Sequence, residues 1–572
     1  MHDALTAHHA AELARLGELR RAFAATHPGA APQGDPADER LLEAVAFLTA
    51  GVRAHLDQAT AALADALLER LLPHYLRPFP ATTIVEVTPN LHALRSTHRI
   101  PRGRLLRARP VDGERARFRT THDLDLAPLE VAGATLDRSA THPRLTLHLQ
   151  ATEGGARALA ELDRLRLYLH HPDRGVASTL LLWLRRYCTA ITLRRGDGRP
   201  RELAPAAIRD PGFDPDHRIL PWPASTPPGL AVLCEHLAAP DALHFIDLVG
   251  LADPGASARD LHIDLDFAAP LDPSLPPRPH LPAAITRDLF RLHCVPAVNL
   301  FEIAAEPFRH TPLHTRHRLR ADGLPAAHLE VFDVLSVSRS DRRPVVADVG
   351  PLGPTLDRYA LTRQSADAGA LDTDLWLLPP AVGESADEVT ISARLLATNR
   401  HLPRGLGVGD LADLEHGPVV RAYANITPVT PPLRPDRADL AQWRRLAQRL
   451  AAAAELASPE GLRDLLLLHD LGATLGGPSA GRHARRRAAI RGVERRLHHR
   501  LVPGRGSVPL PLVATRVTLD EPTLPGLGDA YLLGAALDRL YASMTPLGCA
   551  SELTLRLLPS EHAITWPLRS GG

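Results

Sequence analysis

Apolar residues recur at helical spacing over a long stretch near the start of the chain, from Asp35 to Pro80. Asp35 stands before Pro36 and acidic residues follow, which is the usual composition of a helix start. Prolines at positions 73 and 78 end the pattern. We predict two helices here, together ~55 Å long if collinear at about 1.5 Å per residue. Their apolar stripes consist of Leu41, Leu42, Val45, Leu48 and Val52, and then of Leu63, Leu67, Leu68 and Leu71.

The segment that leaves these helices is stiff and carries residue types that anchor protein interfaces. It combines aromatic rings, a guanidinium group and prolines, and residues 82–87 then alternate as a strand does. Arginine and aromatic side chains are enriched at interface centres, and a proline-stiffened loop loses little entropy on docking. The alternative, that these residues form domain cores, stays open. The predicted interface residues are Leu41, Leu48, Leu67, Leu71, Tyr75, Leu76, Arg77 and Phe79, with Asn299, Leu300 and Phe301 from a later segment, VPAVNLFE.

Strand-like alternation dominates the middle of the chain, while helical periodicity marks residues 3–26 and much of the C-terminal region. The 53 prolines among 572 residues are ~9% of the chain, against a usual ~5%. Such a density favours short strands and rigid loops over long parallel sheets. We predict a multidomain α+β fold with several β-rich, sandwich-like modules. The predicted divisions are 1–80 (helical), 81–155, 156–282 and 283–430 (β-rich), and 431–572 (helical and β).

The C-terminal region shows the clearest change of pattern along the chain. The proline-rich residues 427–436 predict a linker in polyproline conformation. Helices are predicted from Gln442 to Leu471 and from Arg482 to His499, followed by a strand over 510–521, a helix over 529–545 and a strand over 551–558.

Charge and composition exclude several classes of function. The net charge of +1, from 66 basic and 65 acidic residues, provides no general attraction to nucleic acid or anionic lipid. Every basic residue is arginine, which rules out lysine-dependent mechanisms. The four cysteines lie far apart and predict buried thiols, not a zinc site. Neither a transmembrane helix nor a signal peptide is indicated, so a cytoplasmic protein is expected.

A few groups of residues could have a chemical role, and each of them also has a purely structural explanation. His262, Asp264 and Asp266 share one strand face, as metal ligands or paired acids could, but alternation on a half-exposed strand produces the same pattern. The arginine-rich segment 482–500 has no interleaved aromatic residues, so we predict a solvated surface or one that meets an acidic partner. The sequence GLGVGD at 405–410 lacks the strand and helix of a phosphate-binding loop. No catalytic, cofactor-binding or metal-ligating residue is predicted.

Several motifs, in order along the chain, resemble one family. The run DPADERLLEAVAFLTAGVRAHLD, continued by LLERLLPHYLRPFP, resembles the N-terminal signature of TssF (also VasA or ImpG), a baseplate wedge protein of the bacterial type VI secretion system. Further similar stretches are ARFRTTHDLDLAPLEV, RLRLYLHH, LAVLCEHLAAPDALHFIDLVGL, RLHCVPAVNLFEIAAEPF, LLATNRHLP and the tail LDEPTLPGLGDAYLLGAALDRLYASMTPLGCASELTLRL. Departures concentrate late, where Leu547, Gly548 and Cys549 replace the family's Asn-Ser-Phe.

The resemblance implies a structural role without catalysis or cofactor. It implies that the chain pairs with a second copy of itself around TssG, and that the wedge contacts TssK, TssE and the VgrG hub. The resulting ring would dock on the membrane complex, at the inner face of the cytoplasmic membrane, and start sheath assembly. Two alternatives remain at this point: the equivalent wedge subunit of another contractile injection machine, such as a phage tail, and a β-sandwich hydrolase using Asp264 and Asp266.

Overall fold

The computed structural model divides into two units, residues 1–75 with 437–447, and residues 76–436 with 448–572. We refer to the first as the helical unit and to the second as the β-rich unit. The structure describes residues 2–27, 36–138, 142–196, 198–268, 281–282, 285–311, 314–340, 344–347, 358–366, 369–378, 389–412, 418–435, 443, 456–473, 477–500 and 509–571.

The helical unit contains α1 (His2–Thr26) and α2 (Pro36–Leu71). The two helices predicted between Asp35 and Pro80 are one continuous helix of 36 residues, because neither glycine nor proline separates the two apolar stripes. Asp35, the predicted cap, lies outside the described residues. An edge-on contact of His9 with Phe47 and an ion pair of Glu12 with Arg53 join α1 to α2.

The first sheet of the β-rich unit brings together distant parts of the chain. Its strands are β1 (Thr82–Pro89), β3 (Leu105–Val111), β4 (Glu114–Thr120), β15 (Cys294–Val298) and β24 (Val420–Asn425), in the order β24-β1-β15-β4-β3. β1 therefore lies between β24 and β15, and it pairs antiparallel with these two strands, which are more than two hundred residues away in sequence. A two-stranded ribbon, β2 (His98–Ile100) with β5 (Leu124–Leu126), follows within the same stretch of chain.

Two further sheets share one extensive hydrophobic core with six helices and with the sheet formed by the C-terminal residues. One sheet has the order β10-β9-β13-β7-β6 and the other β11-β12-β8-β14. Their strands are β6 (Leu129–Asp137), β7 (Arg144–Ala151), β8 (Arg164–Leu169), β9 (Cys188–Arg195), β10 (Arg201–Leu203), β11 (Ile208–Arg209), β12 (Phe245–Val249), β13 (Asp260–Phe267) and β14 (Phe290–Arg291). The first three helices of this unit are α3 (Ala156–Glu161), α4 (Arg174–Leu182), which continues as a π-helical turn (Trp183–Tyr187), and α5 (Pro228–Ala238).

An eight-stranded sheet forms a separate core from residues 301–398. Its order is β16-β23-β19-β20-β21-β22-β18, with β17 pairing beside β16 on β23. The strands are β16 (Phe301–Ala304), β17 (Phe308–His310), β18 (Arg316–Arg318), β19 (Glu330–Arg339), β20 (Pro344–Ala347), β21 (Arg358–Ser365), β22 (Leu371–Leu378) and β23 (Val389–Thr398).

The C-terminal part is a βαβ arrangement with two additional helices. α6 (Pro459–His469) and α7 (Gly477–Ala489) precede the strands β25 (Ile490–Arg500), β26 (Leu510–Asp520), β27 (Ala550–Leu558), β28 (Ala563–Thr565) and β29 (Arg569–Ser570), and α8 (Leu527–Ser543) connects the parallel pair β26 and β27. The prediction of a helix from Arg482 to His499 was wrong beyond Ala489, because residues 490–500 pair along their whole length with β26.

Close backbone contacts hold α8 in the centre of its surroundings, and glycines make them possible. A Cβ on Gly528 would lie 2.4 Å from the α4 backbone at Ser178, and one on Gly229 of α5 would lie 2.2 Å from the carbonyl oxygen of Arg539. A Cβ on Gly534 would meet the ring of Trp566 at 2.3 Å. Only residues without a side chain let helices approach so closely.

Strand pairing crosses the divisions expected from the sequence. Strands from 81–155 share sheets with strands from 156–282 and from 283–430, so the sheets do not begin and end at these predicted divisions. The segment 427–436 is not a free linker over its described residues either. Thr430 and Leu433 donate backbone hydrogen bonds to Thr82 and Phe79 at 2.9 Å each, which fix the segment beside β1. Most of the predicted helix from Gln442 to Leu471 before residue 456 lies outside the described residues.

Candidate protein–protein interface

A continuous apolar stripe is exposed along α2. Large hydrophobic side chains recur every three or four residues with one longer step, so they follow one side of the helix. The exposed fraction is 68% for Leu48 and 64% for Leu41, values far above those of core residues. The stripe comprises Leu41, Val45, Leu48, Val52, Leu56, Leu63, Leu67 and Leu71.

Other positions of the same helix are buried, which shows that α2 has two different apolar sides. Ala46, Ala50, Ala64 and Leu68 are fully buried, whereas the stripe positions are not. Single exposed leucines are ordinary, but eight large apolar side chains along one side of a helix, with one gap between Leu56 and Leu63, are the surface type that marks a protein-binding site. We define this row as the α2 stripe. It contains four of the predicted interface residues: Leu41, Leu48, Leu67 and Leu71.

Most of the segment that follows α2 is buried, which fits the alternative that its residues form a domain core. Leu76 and Phe79 are each 3% exposed. Phe79 exchanges two backbone hydrogen bonds with Leu433, at 2.8 and 2.9 Å. Arg77 pairs with Asp333 at 2.9 Å. These three side chains therefore join the segment to its own fold, and Tyr75 is half-buried.

The second predicted set is also internal, and it forms a polar junction between two sheets. Asn299 donates from Nδ2 to the carbonyl oxygen of Arg117 at 2.7 Å and to Oδ1 of Asn399 at 2.8 Å. The backbone N–H of Asn399 donates to Oδ1 of Asn299 at 2.9 Å. Leu300 and Phe301 are buried beside it, and the Arg117 guanidinium lies 5.1 Å from the Phe301 ring centre.

This junction explains why two stretches with a family resemblance matter for the fold. Asn299 lies in RLHCVPAVNLFEIAAEPF, and Asn399 lies in LLATNRHLP. A buried amide must find partners for its donors and acceptor, and the Asn299 side chain finds all of them at this junction. The role of Asn399 escaped the sequence analysis because the two residues are 100 positions apart.

The acidic pair on β13 is neutralised by arginines of the neighbouring strands. Asp264 accepts from Arg194 at 2.7 and 3.0 Å and from the Thr146 hydroxyl at 2.7 Å. Asp266 accepts from Arg144 at 2.6 and 3.2 Å. Burial alone would raise the pKa of Asp264, but the hydrogen bonds from Arg194 and Thr146 outweigh it and leave that pKa below its usual value.

The described residues form no candidate metal centre, and burial keeps three of the four cysteine thiols protonated. No group of three or more His, Cys, Asp or Glu side chains is placed to hold a metal ion within the described ranges. Burial raises the pKa of both Cys188 and Cys234 to about 12, and that of Cys294 well above its ordinary value. Such thiols stay protonated and are poor nucleophiles. In the GLGVGD turn, the N–H of Gly407 donates to the Asp410 carboxylate at 2.7 Å.

Four of the eight arginines in the arginine-rich segment pair with carboxylates from elsewhere in the described part of the chain. Arg486 forms a two-pronged contact with Asp529, with Nε donating at 2.7 Å, and Arg487 donates to Asp470 at 2.8 Å. On β25, Arg500 pairs with Glu552 at 2.8 Å. These partners are remote in sequence, so the segment's composition alone could not reveal them.

Comparison with known proteins defines the class of this molecule. A chain of the TssK-TssF-TssG baseplate subcomplex of the type VI secretion system, solved by cryo-electron microscopy, is similar with a TM-score of 0.76 and 26% sequence identity, over 92% of this chain and 98% of that one. A chain of the type VI baseplate complex has the same fold, with a TM-score of 0.63 and 23% identity over 99% of both chains. None of the described helices is long and apolar enough to span a membrane. The protein is a structural component of a type VI secretion baseplate wedge.

The particular family follows from the sequence comparisons. The family model "Type VI secretion system, TssF" matches residues 1–572, so the chain belongs to the TssF family. It is 26% identical to the type VI secretion system component TssF1 of Pseudomonas aeruginosa, over 100% of this chain and 99% of that protein. The predicted family and the α+β fold class are confirmed, and neither the phage-tail alternative nor the hydrolase alternative is favoured.

Proposed function

We propose that this chain builds a baseplate wedge with TssG-type and TssK-type subunits and acts without catalysis. The observation that supports this is the full-length similarity to a chain from a complex of TssK, TssF and TssG. Two copies would pair around TssG, and the wedge would contact TssE and the VgrG hub. In this proposal the assembly lies in the cytoplasm, at the inner face of the cytoplasmic membrane where the membrane complex receives it.

Within this assembly, the α2 stripe is the surface that we assign to TssG or to the second copy. Burying apolar surface in an interface makes the binding free energy more favourable by about 25 cal/mol for each Å² removed from water. A row of eight large side chains on one helix suits a helix partner, since the anchors recur at three- and four-residue steps. Permanent interfaces are large and hydrophobic, as this stripe is.

The test is co-expression with the TssG homologue from the same genome, followed by co-purification. Leu67→Asp combined with Leu71→Asp should reduce the recovered TssG about tenfold or more, because two carboxylates would lose hydration in an apolar contact. Leu67→Asp alone has a control with the same change of charge in Arg40→Gln. The exposed Arg40 lies about 180° around the helix from Leu67, at about 100° per residue.

The control should bind TssG like the unmodified chain. Both aspartate variants should unfold at the same denaturant concentration as the unmodified chain, to within about 0.5 kcal/mol, since these side chains are exposed. Equal recovery of TssG with the double variant and with the control would rule out the α2 stripe as the contact.

A further inference from the structure

A cleft of about 480 Å³ opens in the β-rich unit where the starts of α4 and α8 meet one side of α7. Its walls include Arg174 and Thr179 of α4, Arg482 and Arg485 of α7, and Gly526 and Asp529 at the start of α8. Neither the family comparison nor the α2 stripe assigns a role to this cleft. Its volume is within the range of small-ligand sites, about 300–1,000 Å³.

Backbone packing places two helix N-termini at this cleft. α4 and α8 touch where Gly528 faces Ser178 and Thr179, at a distance that leaves no room for a Cβ. α4 is capped by the Asp173 carboxylate, which accepts from the N–H of Gly175 at 2.8 Å. α8 has no side-chain cap. Its first-turn N–H groups therefore have no side-chain acceptor, and a helix start carries partial positive charge.

The arginines around the cleft divide into a paired and an unpaired set. Arg174 binds Asp241 through two contacts of 2.6 Å, and Arg486 binds Asp529. The carboxylates of Asp241 and Asp529 are therefore each already bound to an arginine. Arg482 and Arg485 form no ion pair with any residue that the structure describes.

The surroundings of Arg482 disfavour the charged form of its guanidinium group. Burial lowers the pKa of Arg482, and the nearby Arg174 and Arg486 lower it further, while Asp529 and Asp173 act in the opposite direction. An anion in the cleft would reverse that effect, because an opposite charge within a few ångströms stabilises the guanidinium. Arg482 and Arg485 are three residues apart and so lie on neighbouring parts of one helix side.

The lining also indicates which anion would fit. Among the described residues that line the cleft there is no aromatic side chain, and the apolar ones are Val176, Pro282 and Pro525. A nucleotide base would have no ring to stack on. Guanidinium groups bind carboxylates through paired hydrogen bonds, and exposed N–H groups at a helix start bind them as well.

We propose that this cleft binds an acidic segment of a partner protein, with carboxylates held by Arg482, Arg485 and the start of α8. The binding itself is independent of the baseplate role, but the identification of the partner as a neighbouring baseplate subunit rests on the proposed function. The site uses only groups that the fold leaves without an anionic partner among the described residues.

The experiment measures binding of a synthetic octaglutamate peptide to the full-length chain immobilised on a sensor surface. We expect saturable binding that weakens as salt is raised. Arg482→Gln combined with Arg485→Gln should weaken it about tenfold or more, through the loss of charge-assisted hydrogen bonds. The matched control is Arg107→Gln with Arg421→Gln, which removes two exposed charges elsewhere on the β-rich unit and should bind within about twofold of the unmodified chain.

Three outcomes would overturn the proposal. The first is equal weakening in the two double variants, which would mean attraction to positive charge in general. The second is no octaglutamate binding by the unmodified chain. The third is binding of inorganic phosphate that depends on Arg482 and Arg485 while the peptide does not bind, which would make the ligand a free oxyanion. If the double variant loses the peptide yet still recovers TssG and TssK, the cleft stands and only the identity of its partner changes. Arg485→Gln alone, at an exposed position, tests the same contact should the double variant fold poorly.

Discussion

The helical unit and the β-rich unit treat polar and apolar groups in opposite ways. In the β-rich unit, Glu330 has a fully buried side chain that accepts two hydrogen bonds from Arg434, at 2.8 and 2.6 Å, and one from the N–H of Leu371 at 2.9 Å. In the helical unit, Leu48 of α2 is 68% exposed. Glu330 shows a charge that the β-rich unit buries together with its partner, and Leu48 belongs to the row of large apolar side chains that α2 leaves in water.

This difference indicates which unit has its stabilising contacts within its own chain and which one needs a partner. Buried charges are tolerated only when their partners are present, so the β-rich unit has its essential contacts within itself. Exposed apolar rows are stabilised only when something covers them. The helical unit is therefore where we expect folding and assembly to be coupled most strongly.

The largest expected effect comes from Glu330→Gln. The amide can still accept from Leu371, but Arg434, whose side chain is 9% exposed, loses its charge partner. Removing one member of a buried pair costs about 3–5 kcal/mol. The counterpart in the helical unit is Glu12→Gln, whose partner Arg53 is half-exposed, and it should cost about 1 kcal/mol or less.

Urea unfolding of the full-length chain measures both free energies. Equal costs at the two positions would contradict the comparison between the units.

Glycine-to-alanine substitutions should change the free energy of unfolding by less, and with opposite signs in the two units. Gly528→Ala pushes a methyl group into the α4 backbone and should destabilise by about 1–3 kcal/mol, as overpacking does. Gly51→Ala in α2 has open space around its Cβ position. It should stabilise the helix by about 0.5–1 kcal/mol, because alanine loses less backbone entropy than glycine.

Thermal unfolding followed by circular dichroism distinguishes the two alanine variants. A Gly528→Ala protein as stable as the unmodified chain would show that the contact between α4 and α8 is loose.

The effect that is smallest near neutral pH concerns the acid sensitivity of the β-rich unit, and it grows by about 1 kcal/mol per pH unit for each histidine as the pH falls below 6.5. Burial lowers the pKa of His244 and of His293 to about 4 from an ordinary 6.5. Below pH 6.5 the unfolded chain takes up protons that the folded chain does not, so stability falls as the pH drops from 6.5 towards 4 and is regained on raising it.

Removing one of these histidines should flatten that pH dependence. The Nε2 atom of His293 accepts a hydrogen bond from the N–H of Ala127 at 3.2 Å, and a glutamine can accept there without titrating. The free energy of unfolding of His293→Gln, measured from pH 4.5 to 7, should therefore change less with pH than that of the unmodified chain. An unchanged slope would mean that His293 has the same pKa in the folded protein as in the unfolded chain.

Local pattern determined much of this protein from its sequence alone. The predicted helices at 3–26 and 529–545 correspond to α1 (His2–Thr26) and α8 (Leu527–Ser543), and the strand predicted at 551–558 is β27 (Ala550–Leu558). These elements have strong periodicity, which depends only on neighbouring residues. The co-linear motifs were enough to identify the family, which the full-length family match confirms.

The tertiary structure alone decided which distant residues meet. Pairing with β26 turns residues 490–500 into a strand although their arginines suit a helix, and Asn299 finds Asn399 across two sheets. It also separated the predicted interface residues into the exposed leucines of α2 and buried residues such as Phe79 and Leu300. Periodicity shows that one side of a helix or strand is apolar. Whether that side is buried depends on what packs against it, and this is set by contacts between parts of the chain far apart in sequence.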